Sequence, residues 1–554
     1  MKSVYWERFR LADLPAEDLT DERCAITGLT FVGVAGGTAR APIHRYEFPP
    51  QEVELRGGES LLIAGTGDKL GKLEAISSEA RTVDIKKRMD TADVHPHAVF
   101  AHDVVDTNVM ADALLRIGEH VDQHGITGTG AYQAARDLLL RCKPQIAGDV
   151  WRLDNETPSQ RAVRLAPRLV GGVLAIQGPP GAGKTFTAAR MICALVDAGK
   201  TVGVTANSHK VIRNLLDEVA RAADETGVDV QCMQKPEDKQ EDVHRIRFTT
   251  KNEEILGAIG RTCHVAGGTA WLWSREDAFE AVDVMFVDEA AQMSLANVLA
   301  VSQACKALVL LGDPQQLEQP TRGSHPDGTG VSALDHLLQG KATIGEDEGL
   351  FLDETWRLHP DICAFTSELF YEGRLRSRHG RDVHTLQSTS RVNGSGLRYL
   401  PVHHEGNQSC SPEEAGRIQA LVEEILNAPS TWIDRGGKRR PVVLSDILII
   451  APYNAQVFEL QQRLPAARVG TVDKFQGQEA AIVIYSMTTS SHADAPRGME
   501  FLYSLNRLNV ATSRAMCLCV LVGSPALFEP ECRTPEQMRM ANAFCRYLEM
   551  AQTI

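Results

Sequence analysis

Apolar positions along this chain keep two different periods, and the change between them divides it. From residue 53 to about residue 100, "VELRGGESLLIAG", "KLGKLEAIS" and "RTVDIKKRM" form short, partly alternating runs broken by Gly, Asp and Ser. They predict a small antiparallel barrel or sheet. Two helical patterns follow. "NVMADALLRIGEHVDQHG" ends in glycine and "AYQAARDLLLRCKP" is stopped by Pro144, which predicts an αα-hairpin beside the barrel. From about residue 170, continuous apolar runs alternate with amphipathic helices. "GVLAIQ" leads to "KTFTAARMICALVDAG" and "TVGVTAN" to "HKVIRNLLDEVARA", and "AVDVMFVDEA" and "KALVLLGDP" follow. Such alternation predicts a parallel sheet covered on both faces, with ligands at the carboxyl ends of its strands. The rhythm returns after residue 440 in "DILIIAPYNAQVFELQQRL", "ARVGTVDKF", "AAIVIYSM" and "AMCLCVLVGSP".

The organisation expected is therefore α/β: an N-terminal segment (1–50), a β-barrel (51–104), a helical stalk (105–150), and parallel-sheet blocks at 151–340 and 341–554. Within the first block, residues 225–262 are polar and carry Lys235, Lys239, Arg245, Arg247 and Lys251. They read as a solvated insertion or as a nucleic-acid arm. "PEQMRMANAFCRYLEM" reads as an amphipathic C-terminal helix docked on a core.

Bulk properties narrow the classes. A chain of 554 residues, 43% hydrophobic and 23% charged, holds more than one core and is ordinary for a soluble protein. No run approaches the roughly 18 apolar residues of a membrane span. The start, "MKSVYWERFRLADLP", has no apolar stretch resembling a signal peptide, so a cytoplasmic address away from membranes is expected. Twelve cysteines are spread singly without metal-ligand spacing, so neither zinc nor an iron–sulfur cluster is expected. The net charge of −14 argues against a protein that coats nucleic acid, but leaves room for a local basic channel.

Candidate chemistry gathers in "QGPPGAGKT". Gly178, Gly183, Lys184 and Thr185 fit G-x-x-x-x-G-K-[ST] between a predicted strand and a predicted helix. The loop around Gly181 and Ala182 can turn its N–H groups to phosphate, Lys184 can reach the β and γ phosphates, and Thr185 offers a hydroxyl to Mg2+. In "FVDEAAQM", Asp288 ends an apolar strand where it can hold the magnesium, and Glu289 can take a proton from the attacking water. In "LLGDPQQLEQP", Gln316 can sense the γ-phosphate. Two arginines stand near predicted element ends, Arg357 in "LDETWRLHPDICAF" and Arg514 in "LNRLNVATSRAMCLCVLV". Either alone reads as a surface residue or helix cap; together with the cradle they are candidates to stabilise phosphoryl charge, worth about three to five powers of ten in rate.

The ordered set "GPPGAGKT", "TANSHKVIRNLL", "GGTA", "VDEAAQ", "GDPQQLEQP", "TWRLHPDI", "APYNAQ", "GTVDKFQGQE" and "LNVATSRA" resembles the superfamily 1B helicases over about residues 155–525. The similar group contains the nonsense-mediated-decay RNA helicase and the Okazaki-fragment nuclease-helicase. The resemblance implies two RecA-like domains, with the barrel and stalk as an accessory module. Its implied cofactors are ATP and Mg2+. It implies that Gln160 reads the adenine edge, Tyr453 stacks on the base and Glu479 contacts the ribose. Arg357 and Arg514 would be arginine fingers from the second domain, and Asn207, Thr269 and Thr471 would touch the nucleic-acid backbone. Where the family has Tyr-Arg-Met-His-Pro this chain has "TWRLHP", and Ser513 stands where threonine is commoner. Retention of Arg357 implies that catalysis survives and that only packing changes. The roughly 50 residues ahead of the barrel are too few for the nuclease that some relatives carry, which leaves a nuclease as a partner to test for.

The function implied is ATP-driven, 5′-to-3′ movement of a monomeric motor on single-stranded nucleic acid, with DNA favoured. The rivals are an RNA helicase, a translocase that remodels ribonucleoprotein or strips proteins without separating strands, and, from another class, a non-hydrolysing scaffold. Intact Lys184, Glu289, Arg357 and Arg514 speak against the scaffold. Lys184→Ala is expected to abolish ATP hydrolysis and leave strand binding largely intact. A folded variant without either activity, measured by phosphate release and by fluorescence anisotropy of a labelled strand, would contradict that separation of roles.

Overall fold

The computed structural model describes the chain from residue 2 onward except residues 52, 54, 56, 78–79, 103–105, 149, 318–328, 435 and 476, with side chains from Trp6. The end of the third motif (Glu318–Pro320) and Gln476 of "GTVDKFQGQE" lie outside the described residues. Two compact units form: residues 106–320 with 325–382, and residues 1–105 with 383–554.

The first of these is built on a parallel sheet. Its strands run in the order Ile246–Phe248, Cys232–Gln234, Val265–Gly267, Val202–Thr205, Val282–Val287, Cys305–Gly312, Leu169–Gln177 and Gly349–Phe351. The central strands are almost entirely buried, as expected where helices cover both faces. Leu174, Ile176, Val204, Phe286, Val309 and Leu311 interlock with the inner faces of helices Lys184–Asp197 and His209–Thr226. Each such side chain contributes about 1.5–3 kcal/mol by leaving water. Register matters more than content here. Gly312 pairs with Gln177, so those two strands end level, while Val287 ends its strand opposite Leu310, two residues earlier. The segments that begin at Gly178, Asp288 and Asp313 leave the sheet there side by side.

Three expectations about this unit change. The polar stretch 225–262 contributes two edge strands and the helix Asn252–Ala258, with Cys232, Ile246 and Ile255 buried. It is not a wholly solvated insertion, although residues 237–244 are exposed; its few apolar residues are enough for edge strands. The sheet also extends past residue 340, because Gly349–Phe351 pairs with Ala175–Gln177. The helices Asn108–His124 and Gln133–Leu139, expected beside the barrel, belong to this unit, where Arg116 Nη2 donates to Ser274 O at 2.9 Å and Gln303 Oε1 at 2.8 Å.

The other unit holds a six-stranded parallel sheet in the order Arg468–Gly470, Ile447–Ile450, Ala480–Ser486, Ala515–Gly523, Gly396–Pro401 and Gln552–Thr553. Cys517 and Cys519 are both buried on a strand covered on its two faces. The C-terminal helix Pro535–Met550 docks through Phe544 and Tyr547, whose hydroxyl donates to Cys519 O at 2.8 Å. The same unit contains an antiparallel seven-stranded sheet, ordered Ala25–Thr27, Ala98–Ala101, Ser60–Ile63, Lys69–Ser77, Thr82–Lys87, Ala41–Glu47 and Thr30–Thr38. Three of its strands precede residue 51, where the barrel was expected to begin. Among the described residues, no helix is long and apolar enough to cross a membrane.

The N-terminal segment also caps a helix of the six-stranded block. Helix Asn454–Arg463 has no side-chain cap from Tyr453, and the Asn454 N–H is met by Asp21 Oδ1 at 3.1 Å. Asp21→Ala is expected to lower the urea stability of this unit by about 1 kcal/mol. Asp21→Asn keeps an acceptor and should lose less; equal losses would contradict the capping role.

Candidate nucleotide site

The cradle is shaped by close approaches that only glycine permits. Gly181 has φ +74°, and a Cβ there would stand 2.6 Å from Arg357 Cβ and 2.8 Å from Thr355 Oγ1. Gly183 has φ +82° and leads into helix Lys184–Asp197. The loop is tied to the segment after the last strand: the Trp356 N–H donates to Gly181 O at 2.9 Å and Thr355 Oγ1 to Pro180 O at 2.8 Å. Lys184 folds back, its Nζ donating to Gly178 O at 2.6 Å. Backbone N–H groups at a helix start, with a lysine above them, form an anion site.

Two strand-end acids face this lysine. Asp288 is buried; burial pushes its carboxyl up and Glu289 adds to that, while the Glu289 N–H at 2.9 Å and the Lys184 ammonium oppose. Glu289 itself sits in the left-handed region at φ +51°, a conformation that costs a non-glycine residue about 1–2 kcal/mol. Asp313, missed in the sequence, is 2% exposed. Burial raises its carboxyl too, and Lys184 and the bonds it accepts pull against that shift. Gln316 Nε2 donates to Asp313 Oδ2 at 2.7 Å. The acid at the head of "DPQQ" was the available signal.

Arg357 is 8% exposed and lies in the same compact unit as the cradle, against Gly181. The expectation that it comes from the second block is corrected: strand Gly349–Phe351 carries the chain back across the first sheet just before it. Trp356 beside it is 42% exposed, with the Arg378 guanidinium 3.3 Å from its ring centre. The tryptophan in "TWRLHP" is thus a surface ring next to the phosphate loop, not a packing substitute.

The remaining candidates are distributed. Gln160 is exposed, and its Oε1 accepts from the Thr157 N–H at 3.0 Å in a capping box of helix Pro158–Leu165. Asn207, exposed, donates to Gln292 O; Thr269 is half-buried at the carboxyl end of strand Val265–Gly267. In the other unit, Tyr453 is 0% exposed, with its ring 5.5 Å from Phe501. A ring so enclosed offers no face to a base, and the stacking role expected for it is withdrawn. Thr471 is buried and its hydroxyl accepts from Arg23 Nη2 at 3.4 Å. Arg514 is 2% exposed between helix Leu505–Ser513 and strand Ala515–Gly523, and its carbonyl accepts from the Ala480 N–H at 3.1 Å. Glu479 lines a cavity of about 360 Å³ with Arg468, Trp432 and Asp446, at the amino ends of the strands.

A cradle of this kind at the carboxyl edge of a parallel sheet marks the P-loop nucleotide-binding proteins. Residues 157–329 and 330–526 each match a family model described as AAA domain. The probable helicase MAGATAMA 3 of Arabidopsis thaliana is 28% identical, over 45% of this chain and 31% of its own. The DNA replication ATP-dependent helicase/nuclease JHS1 of the same plant is 25% identical over 68% of this chain and 29% of its own. The putative helicase mov-10-B.1 of Danio rerio is 26% identical over 64% of this chain and 40% of its own. The chain falls with the superfamily 1 helicases, in the group that includes the DNA replication helicase/nucleases, mov-10-B.1 and sen1 alike. It spans about a third of the length of MAGATAMA 3, JHS1 and mov-10-B.1.

Gly181→Ala is expected to abolish nucleotide binding in a folded protein, because the new methyl must displace Arg357 or the loop. Trp356→Ala should weaken ATP and ADP alike by about tenfold, the loss of one stacking partner. Isothermal titration of both nucleotides checks this; unchanged affinity would remove Trp356 from the site.

Proposed function

We propose that this chain is an ATP-driven motor that travels 5′-to-3′ on single-stranded DNA and separates strands as it goes. The observation that carries the reading is the convergence of Lys184, Asp288, Asp313 and Arg357 on one phosphate cradle within a single compact unit. The RecA-like reading of the two blocks, an accessory barrel formed from the N-terminal sheet and a monomeric motor belong to the same proposal.

In this reading the N–H groups of residues 181–185 receive the phosphates, and Lys184 exchanges Gly178 O for the β and γ oxygens. Thr185 and Asp288 would hold Mg2+, which supplies neutralising charge; a buried carboxyl beside another acid is suited to a cation. Glu289 takes the proton of the attacking water and Gln316 orients that water. Arg357, with Arg514, stabilises charge on the transferred phosphoryl group. Trp356 takes the stacking role withdrawn from Tyr453, while Gln160 reads the adenine edge and Glu479 the ribose. Asn207 and Thr269 on one block and Thr471 on the other grip the strand in turn.

DNA is favoured because the relative whose match covers 68% of this chain is named for DNA replication. ATP hydrolysis measured alone, with single-stranded DNA and with single-stranded RNA of equal length should rise strongly with DNA only. Stimulation by RNA alone would change the track. Stimulation by neither would sink the motor reading. Strand affinity should fall with salt in proportion to the phosphates contacted.

A further inference from the structure

We propose that Tyr371 is a positioning residue for nucleotide hydrolysis, acting through Asp313 to hold the side chain of Gln316. The inference rests on the motor reading and adds to it a residue outside the nucleotide-binding loops. Tyr371 closes helix Pro360–Phe370, its N–H donating to Ser367 O. Its side chain is wholly buried beside Phe351, ring centres 6.0 Å apart. From there its hydroxyl donates to Asp313 Oδ2 at 2.6 Å. Gln316 Nε2 donates to the same oxygen at 2.7 Å, and the Gln315 N–H reaches Oδ1 at 3.3 Å. The Gln316 N–H donates to Asp313 O at 3.1 Å, which closes the turn.

Asp313 Oδ2 accepts from both the Tyr371 hydroxyl and the Gln316 amide nitrogen, so that amide turns its nitrogen to Asp313 and its oxygen the other way. That choice decides whether the amide meets water or phosphate as an acceptor or as a donor. Asp313 can enforce it only while its own plane is held. Tyr371 holds that plane from an element 58 residues away in sequence. The helix that Tyr371 ends begins at Pro360, three residues after Arg357, and the intervening Leu358 O is fixed by Ser377 Oγ at 2.7 Å. The glutamine turn and the arginine segment thus share one buried connection, and each constrains the geometry that the other presents to the γ-phosphate.

Tyr371→Phe removes one oxygen and leaves the ring. In strand-stimulated ATP hydrolysis it is expected to lower kcat by about tenfold with KM for ATP within about twofold. In a Gln316→Ala background the same change should have no further effect, because the side chain it positions is gone. A tyrosine that merely stabilised the core would shift the melting temperature and multiply the Gln316→Ala loss by its own factor. Full kcat in Tyr371→Phe, or the same fold-loss in both backgrounds, would overturn the proposal. Asp313→Asn serves as the second variant if Tyr371→Phe fails to fold: it permits the Gln316 amide to invert, so kcat should fall and Gln316→Ala should add nothing. Additive losses there would overturn the proposal equally. Wild-type protein that hydrolyses no ATP with any strand would instead defeat the motor reading itself.

Discussion

One ammonium acts on both buried acids of this site. Two carboxyls, Asp288 and Asp313, are buried at the ends of neighbouring strands, and burial alone would push both towards the neutral form. Lys184 opposes that shift at each of them while resting on Gly178 O. Both carboxyls stay raised even so, and the lysine moderates the shift from a loop that leaves the sheet beside Asp313, where Gln177 and Gly312 end their strands as partners. A charged cluster held this way is poised for a polyanion and a cation rather than for water.

The second constraint is space. Gly181 leaves room for nothing but the backbone and Cβ of Arg357 and the hydroxyl of Thr355. The loop and the arginine segment are therefore fitted to one another, although more than 170 residues separate them in sequence. The same segment supplies Trp356 and, one helix later, Tyr371. Residues 355–371 thus set Thr355, Trp356 and Arg357 against the cradle and Tyr371 on Asp313. Family membership accounts for the motifs; this fitting accounts for how the loop and the arginine segment come to lie together.

The sequence by itself determined a good deal. Continuous apolar runs followed by Gly-, Asp- or Asn-containing turns located both parallel sheets, because strands covered on two faces need side chains that read the same from either side. The cradle, Lys184, Thr185, Asp288 and Glu289 were legible because each follows such a strand at the edge where ligands collect. Several strands were not legible. Cys232–Gln234 and Ile246–Phe248 lie in polar sequence, Ala25–Thr27 pairs with the distant Ala98–Ala101, and the hairpin Thr30–Thr38 with Ala41–Glu47 has a glycine-rich, exposed first strand that lacks an apolar face.

Only the tertiary structure decided which residues share a unit and which side chains are open. It put Arg357 with the cradle, since strand order and not chain order sets that neighbourhood. It enclosed Tyr453 and exposed Trp356, an exchange hidden from sequence because both are aromatic residues beside a motif. It joined Tyr371 to Asp313 across 58 residues. Periodicity reports which face of an element is apolar; what meets that face is settled by how the elements pack.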